Sequence, residues 1–269
     1  MFATFEKINT GLGFRRKKFI YYWDLLVHLT IRDLKVQYEG STLGFAWSLA
    51  NPLLLLCVFY FLFQMVLSVD VRRFTSFTFS GILIWYWFSS SLTQAATSIT
   101  NSRELIRHPG FPIAVLPVVS VSGALLHFLL SLPVLLLFIF LEGAGLRLTI
   151  FAFPLIILIQ FVILLGLGYF VAAANVLFRD TSHILSGLLR VMFFLCPIFY
   201  DPSVVPVAYQ PFYNLNPLVP LLEAYRDVLL RGILPNVLPL FVLLVIAMGL
   251  LYFGLKGFLR VSYRFVEEL

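Results

Sequence analysis

The side chains in this sequence best suited to hold a ligand are aromatic rings and hydroxyls that cluster in two apolar segments. The aromatic candidates are Phe59, Tyr60, Trp85, Tyr86 and Trp87. Hydroxyl and amide side chains follow the second cluster over residues 89–98. Aromatic rings stack on the C–H faces of sugars and hydroxyls exchange hydrogen bonds, so the pattern favours a surface along which a glycan slides. Two other interpretations stay open: an aromatic belt at the membrane interface, or hydroxyls that pack helices together.

Patterns for catalysis and cofactor binding are missing from the sequence. It contains no Gly-x-x-x-x-Gly-Lys-Ser/Thr phosphate loop, no His-Glu-x-x-His pair and no Cys–His cluster with metal-ligand spacing. The four histidines are scattered, and only His127 lies deep in an apolar segment, where a packing role is the usual one. We therefore predict no catalytic residue, no metal site and no cofactor in this chain, which cannot hydrolyse nucleotide by itself.

The composition is that of an integral membrane protein. Hydrophobic residues make up 61% of the 269 residues, charged residues only 12%, and the mean hydropathy is +0.97. The net charge of +6 indicates loops that face anionic lipid rather than a nucleic-acid partner. Cys57 and Cys196 both lie in apolar runs, which argues against a disulfide. No signal-peptide pattern precedes the first apolar segment, so we expect one membrane domain over residues 1–269.

Six apolar segments are long enough to cross a bilayer, which takes about 20 helical residues. They cover residues 45–67, 77–100, 113–140, 150–175, 183–200 and 236–255. With both ends of the chain in the cytoplasm, thirteen of the 19 basic residues fall in cytoplasmic segments and five in outer loops, and this bias sets the orientation. Acidic residues lie in loops or at span ends, which argues against coupling to protons or sodium. The predicted fold is an all-α polytopic membrane protein with six transmembrane helices.

The segments before and after the spans are rich in charge. Residues 1–19 form a basic arm, residues 20–39 an amphipathic interface helix, and residues 256–269 a cytoplasmic tail. The charged stripe of the interface helix consists of Asp24, His28, Arg32, Lys35 and Glu39. These side chains fall within about 80° on a helical wheel, and most of the remaining surface is apolar. Such a helix suits the membrane interface, the alternative being a helix packed on other spans.

Two further polar stretches interrupt the apolar pattern. Residues 101–110 form a short charged turn after the second span, either a contact for a partner or a solvated connector. Residues 201–235 carry six prolines and many aromatic residues, so we expect short re-entrant helices at the outer face instead of a span. Within this segment, Asn216-Pro217 predicts a helix start and Gly232 marks its end.

Five motifs, in order along nearly the whole chain, carry a resemblance to a known family. The first is RDLKVQYEGSTLGFAWSLANPL, which resembles the N-terminal signature of ABC-2 type permeases that export polysaccharides. The others are HPGFPIAVLP, NVLFRDTSHIL, CPIFYDPSVVP and NLNPLVPLLEAYRDVLLRG. One departure is Glu39, because family members often carry a basic residue after the tyrosine of the first motif.

The resemblance implies a transport subunit, not an enzyme, in the bacterial inner membrane. It implies a homodimer with its channel at the subunit interface, joined by two copies of a separate ATPase subunit that binds ATP and Mg²⁺. The expected substrate is a lipid-linked polysaccharide, with O-antigen favoured. Export of teichoic acid or capsule, a drug or lipid permease of the same type, and a membrane enzyme that modifies glycans stay as alternatives.

The resemblance also implies roles for individual residues. The predicted ATPase contacts are Asp24, His28, Arg32, Lys35, Arg103, Glu104 and Arg107. The predicted outer gate consists of Tyr200, Tyr213, Asn216 and Tyr225. Independently of the resemblance, three basic residues near the predicted cytoplasmic face are candidates for holding the lipid diphosphate, namely Arg15, Arg16 and Arg190. For Arg190, snorkelling to the cytoplasmic face is the alternative.

Overall fold

The computed structural model describes residues 11–41, 44–67, 73–143, 145, 147–213 and 215–265, with the side chains of these ranges except 11–19, 45 and 212. Every regular element in these ranges is helical. The α-helices are α1 (Gly11–Tyr38), α2 (Trp47–Tyr60), α3 (Phe74–Ser98), α4 (Arg103–Ile106), α5 (Val115–Leu141), α6 (Phe153–Leu177), α7 (Thr181–Leu195), α8 (Gln210–Tyr213), α9 (Leu218–Arg226) and α10 (Val237–Val261). Two of them continue as π-helices, α2 over Phe61–Val66 and α9 over Asp227–Arg231.

Four helical stretches of the described chain are long and apolar enough to cross a membrane. They are Trp47–Val66, Val115–Leu141, Leu148–Leu177 and Val237–Arg264. They coincide with the first, third, fourth and sixth predicted spans. The last of them continues beyond residue 255, into the segment predicted as a tail, because its apolar sequence runs on through α10.

The second and fifth predicted spans are not among these four stretches. α3 has 25 residues, which is long enough to cross, but its hydroxyl side chains make it more polar than a typical span. α7 has only 15 residues, about 22 Å at 1.5 Å per residue, because the helix ends before Cys196 while the apolar sequence continues. The count of six spans therefore stays a prediction.

α3 is the central helix of the bundle and packs against α2, α5, α6, α7 and α9. Its apolar side chains, such as Phe79 and Ile82, are buried. Gln160 of α6, also buried, donates a hydrogen bond from Nε2 to the carbonyl of Ile84 at 3.3 Å. The hydroxyl of Ser80 donates to a carbonyl one turn earlier at 2.8 Å. Such bonds let a polar helix occupy the centre of an apolar bundle.

α6 and α10 form the most extensive helix pair, and two glycines allow their close approach. A Cβ on Gly166 would lie 2.5 Å from the backbone carbonyl carbon of Leu250. A Cβ on Gly254 would overlap the carbonyl oxygen of Gly166. Small residues at a crossing let two membrane helices touch through their backbones.

Two core clusters divide the bundle along its length. The smaller cluster gathers Leu29 of α1, Ile106 of α4, Tyr169 of α6 and Phe258 of α10, and we call this the α1 end. The larger cluster fills the rest of the bundle and includes Leu221 and other side chains of α9, so we call the opposite end the α9 end. The first and last described α-helices therefore meet at the same end of the bundle.

Candidate substrate groove and coupling surface

A groove of about 450 Å³ lies between α2, α3 and α7, and we call it the substrate groove. The side chains that line it include Trp85, Tyr86, Ser89, Thr93, Arg190 and Phe193. Two predicted aromatic residues and one predicted basic residue, far apart in the sequence, thus face one space. In the structure, the aromatic and hydroxyl side chains of α3 therefore lie next to the basic side chain of Arg190 on α7.

The α3 wall of the groove follows from helical periodicity. Trp85, Ser89 and Thr93 are spaced by four residues, so their side chains share one face of the helix. The Thr93 hydroxyl donates to the carbonyl of Ser89 at 2.8 Å, which leaves its oxygen able to accept from a ligand. Trp85 packs edge-on against Phe193, with ring centroids 5.8 Å apart. The wall therefore presents hydroxyls toward the α1 end and rings toward the α9 end.

Arg190 is the basic side chain of the groove. It is exposed on α7, one turn after Ser186, which also lines the groove. Within the part of the chain that the structure describes, no carboxylate forms an ion pair with Arg190. Its guanidinium is therefore available to an anionic ligand. The side chains of Arg15 and Arg16, the other two diphosphate candidates, lie outside the described residues.

Aromatic rings continue from the groove to the α9 end, and we call this cluster the aromatic column. Phe59 stacks on Phe199, with ring centroids 4.8 Å apart and an interplanar angle of 14°. Phe193, which lines the groove, lies 5.9 Å from Phe59. Phe199 in turn contacts Tyr200 at 5.4 Å, and Tyr200 lies 6.4 Å from Tyr213. One path residue and two outer-gate residues of the sequence prediction thus belong to one continuous cluster.

The other two predicted path residues lie outside the groove. Trp87 is 1% exposed and stacks on Phe128 of α5, with ring centroids 5.1 Å apart. Tyr60 is exposed beside Phe74, at a centroid distance of 6.5 Å. Trp85 and Trp87 point away from each other because residues two apart lie on opposite sides of a helix. The five predicted residues therefore do not share one surface.

A second space, of about 300 Å³, lies on the other side of α3 between α1, α2 and α5. We call it the corner cavity, and its polar lining includes Gln37, Ser48, Asn51, Ser90, Gln94 and His127. Tyr38 of α1 forms a hydrogen bond with the side chain of Ser48 on α2. The Tyr38 ring also packs edge-on against the His127 ring of α5, with centroids 5.7 Å apart. The cavity thus lies where three helices are joined by one tyrosine.

The predicted ATPase contacts form an exposed surface at the α1 end. Leu29 and Thr30, on the other side of α1, are buried, so the charged stripe faces outward as the wheel predicted. Ile106 of α4 is buried in the same core cluster as Leu29, and this places the two charged elements at one end of the bundle. The predicted contacts are all exposed, and they are Asp24, His28, Arg32, Lys35, Arg103, Glu104 and Arg107. The structure thus brings all seven predicted contacts to one end.

The segment before α10 contains the helix predicted from its local signals. The side chain of Asn216 accepts the N–H of Leu218 at 3.0 Å, so it caps α9 as expected. The helix and its π-helical extension end at Gly232, whose φ of +66° is the left-handed conformation that glycine adopts most easily. Tyr225 is fully buried between Phe128 and Phe153, so it lies in the core and not in the aromatic column.

Sequence reasoning missed the role of Arg226, which it counted only as an outer-loop charge. The side chain is 0% exposed, and its Nη1 lies 3.3 Å from Oε1 of Glu223. Its Nη2 donates to the carbonyl of Ile198 at 3.0 Å, and the guanidinium lies 3.5 Å from the ring centre of Phe77. Burial lowers the pKa of Arg226 to about 10, against the opposing effect of Glu223, so the group stays charged at neutral pH.

Arg231 extends this site into a network that we call the outer clamp. Its Nη1 lies 2.7 Å from Oε2 of Glu223 and 2.7 Å from Oδ1 of Asp227, and its Nη2 lies 3.8 Å from Asp201. Glu223 therefore bridges two arginines. The spacing of Glu223 and Arg226, three residues apart on one helix, is the sequence signal that could have revealed the pair.

Comparison with known proteins identifies the family of this chain. Residues 24–230 match the family model described as ABC-2 type transporter. The O-antigen export system permease protein RfbA of Klebsiella pneumoniae is 34% identical over 250 residues, covering 93% of this chain and 96% of that relative. The protein of the same name from Myxococcus xanthus is 36% identical, covering 92% and 96%. The polysialic acid transport protein KpsM of Escherichia coli is 24% identical over 237 residues, covering 82% and 89%. The match over most of the chain shows that this protein belongs to the ABC-2 type transporter family of membrane proteins.

Proposed function

We propose that this protein is the permease subunit of an ABC exporter that moves lipid-linked polysaccharide, with O-antigen the favoured polymer, across the bacterial inner membrane. The observation that carries the proposal is the substrate groove, where Trp85 and Tyr86 lie beside hydroxyls and beside Arg190, which has no ion pair with a described residue. A permease for this substrate must hold a diphosphate and let sugar rings pass. The names of the Klebsiella, Myxococcus and Escherichia relatives support the same polymer class.

A second copy of this chain would enclose the groove. The groove opens on the surface of the protomer, and the helices on either side of it expose apolar side chains, such as Val58 of α2 and Leu188 of α7. An apolar surface of this kind suits lipid or another protomer. We infer a homodimer in which the two grooves face each other and form one conduit.

Two copies of a separate ATPase subunit would drive transport, each holding ATP and Mg²⁺. This chain has no phosphate loop of its own, so the energy must enter through a partner. The exposed charges of α1 and α4 at the α1 end provide the docking surface. Cytoplasmic termini place this end inside the cell, in line with the basic residues of the sequence.

The six crossings of this topology are α2, α3, α5, α6, α7 and α10. α7 alone is too short, so residues 196–200 complete its crossing in a non-helical conformation. Backbone at membrane depth needs internal hydrogen bonds, and the carbonyl of Ile198 has one from Arg226. The buried arginine thus supports the part of the fifth span that is not a helix.

Transport would begin when ATP binding moves the ATPase subunits against α1 and α4. Gly40 and Gly44, with φ of +76° and +48°, form the corner through which motion of α1 passes to α2. α2 carries Phe59 and one wall of the groove, so its displacement widens the space beside α3 and α7. Weak contacts with successive rings then let the glycan slide without being trapped.

The proposal can be tested by removing the positive charge of Arg190. In a strain that depends on this permease for surface polymer, Arg190→Gln should lower the surface polysaccharide at least about tenfold, because a charge-assisted bond to the diphosphate is lost. Surface polymer is measured by immunoblot at matched permease levels, with Arg190→Lys as a partial rescue. Arg179→Gln removes an exposed arginine outside the groove and should change nothing. Full export by Arg190→Gln would refute the groove as the binding site of the lipid diphosphate.

A further inference from the structure

The corner cavity lies within one protomer on the far side of α3 from the substrate groove, although Tyr86 lines both. Its inner wall is formed by buried side chains, including Trp87 and Phe128, and its mouth by the exposed Gln37 and Trp47. At about 300 Å³ it falls at the lower end of the range for small-molecule sites, roughly 300–1,000 Å³. A ligand the size of a single ring fits such a space.

The lining of the cavity is polar but uncharged. Among the described residues that line it, none is Asp, Glu, Lys or Arg. Amide and hydroxyl groups of Gln37, Asn51, Ser90 and Gln94 offer both donors and acceptors. A phosphate or carboxylate would find no counter-charge here, and a hydrocarbon chain would leave the amides without partners. A neutral ligand with several hydroxyls satisfies both conditions.

Trp87 adds an independent indication of a polar ligand. Its indole N–H is buried and has no hydrogen-bond acceptor among the described residues. Buried donors are nearly always paired in folded proteins, so this N–H is an orphan that a ligand oxygen would satisfy. The Trp87 ring itself is 1% exposed and stacked on Phe128, so it forms part of the apolar inner wall of the cavity.

We propose that the corner cavity binds one neutral sugar ring. The ring could come from the exported polymer or from the head group of a glycolipid, since both offer the same hydroxyls. The site lies outside the conduit of the proposed function and does not depend on it. A bound ring would bridge the end of α1, the start of α2 and the middle of α3 and α5, and so would restrain the corner.

The experiment measures sugar binding to the permease–ATPase complex in phosphatidylcholine nanodiscs. Alkyl glycoside detergents are removed beforehand because their head groups would compete. The probes are methyl glycosides of glucose, galactose, mannose, rhamnose and N-acetylglucosamine, detected by saturation-transfer NMR and by tryptophan fluorescence. At least one of them should give a saturable signal, and the absence of saturable binding for the whole panel would overturn the proposal.

Variants assign the signal to the cavity. Trp87→Phe removes the N–H and Gln94→Ala removes an amide at a half-buried position, and each should weaken binding about tenfold. Trp23→Phe, on the exposed face of α1, is the matched control and should bind as the wild type does. Gln94→Ala keeps the test valid if Trp87→Phe misfolds. Binding that responds to Thr93→Val in the groove and not to Gln94→Ala would also overturn the proposal.

A second set of nanodiscs distinguishes the two sources of the sugar. These contain monoglucosyl diacylglycerol, a neutral glycolipid, and the methyl glycosides are added to them as before. Displacement of a bound methyl glycoside by this lipid, lost in Gln94→Ala, would assign the site to a glycolipid head group. Binding of the methyl glycosides without competition from the lipid would assign it to the polymer.

Discussion

The outer clamp and the substrate groove, in two different parts of the helix bundle, use opposite chemistry. In the clamp, Arg226 is fully buried and Arg231 is shared among three carboxylates. In the groove, hydroxyls and rings line the wall and the one basic side chain, Arg190, has no ion pair with a described residue. Both regions border α3, the clamp near Phe77 and Gly81 and the groove from Trp85 to Thr93.

The contrast is between a rigid site, the outer clamp, and a site through which a ligand can move, the substrate groove. A buried charge tolerates only one arrangement of its partners, because losing any of them leaves a charge without compensation. Hydroxyls and aromatic faces exchange partners at small cost, since each contact is weak. Under the proposed function, the first kind of site supports the non-helical segment after α7 and the second kind lines the path of the substrate. Substitutions in the two regions should therefore differ in what they damage.

The largest effect on stability is expected from Arg226→Met. The change removes the donor to the buried carbonyl of Ile198 and one of the two arginine partners of the half-buried Glu223, and together these losses cost about 3 kcal/mol. Thermal unfolding of the purified permease, followed by the loss of monodisperse protein, measures the change. Arg231→Met removes an exposed arginine from the same clamp and should cost less, about 1 kcal/mol. Equal stability of Arg226→Met and the wild type would show that the clamp does not hold the fold.

Gly81→Ala should have an intermediate effect because it crowds the clamp from α3. A Cβ at Gly81 would lie 2.7 Å from the carbonyl oxygen of Ile198 and 3.1 Å from Nη2 of Arg226. Displacing a backbone carbonyl in a packed site costs about 1–3 kcal/mol. Gly123→Ala is the matched control, since a Cβ there meets no atom within 4 Å. The same unfolding assay should separate the two variants, and equal destabilisation by both would contradict a rigid clamp.

Glu142→Ala tests a weaker electrostatic contact at the same end. The Glu142 carboxylate accepts the N–H groups of Thr75 at 3.1 Å and Ser76 at 3.2 Å, in the first turn of α3. Losing such a cap costs about 1 kcal/mol, because two helix donors lose their acceptor and the helix dipole loses a negative charge. Unfolding of Glu142→Gln, which keeps an acceptor oxygen, should fall between that of Glu142→Ala and the wild type. Wild-type stability of Glu142→Ala would show that this carboxylate does not stabilise the start of α3, so that charged side chains stabilise the helix only through the outer clamp.

Much of the helix pattern could be predicted from sequence because it depends on local signals. Apolar stretches of span length located four of the membrane helices, and Asn216 and Gly232 marked the limits of one short helix. The exposed stripe of α1 followed from its charge spacing. The early end of α7 also had a local signal, which the span assignment overlooked. Pro197 disfavours a helical conformation at Cys196, and the backbone of Cys196 is extended.

The direction in which individual side chains point from their helices was harder to predict. Trp85 and Trp87 were assigned to the substrate path by residue type, and Tyr225 to the outer gate by the family resemblance, and neither basis tells which side of a helix faces a groove. The structure separates them because α3 has two polar faces, one toward α7 and one toward α1 and α5. The buried state of Arg226 was equally hidden, because its partners Ile198 and Phe77 come from other parts of the chain.

The smallest effect on stability, and the sharpest test of the contrast, is expected from Thr93→Val. The swap keeps the shape of an exposed side chain whose hydroxyl bonds only its own helix among the described residues, so stability should change by less than about 0.5 kcal/mol. Export of surface polymer should nevertheless slow about two- to fivefold, because one of the exchanging hydroxyls is lost from the groove. Thr97→Val, one turn further along α3 and outside the groove, should alter neither quantity. A variant at Thr93 that unfolds as readily as Gly81→Ala, or that exports at the wild-type rate, would remove the distinction between a fixed clamp and a permissive groove.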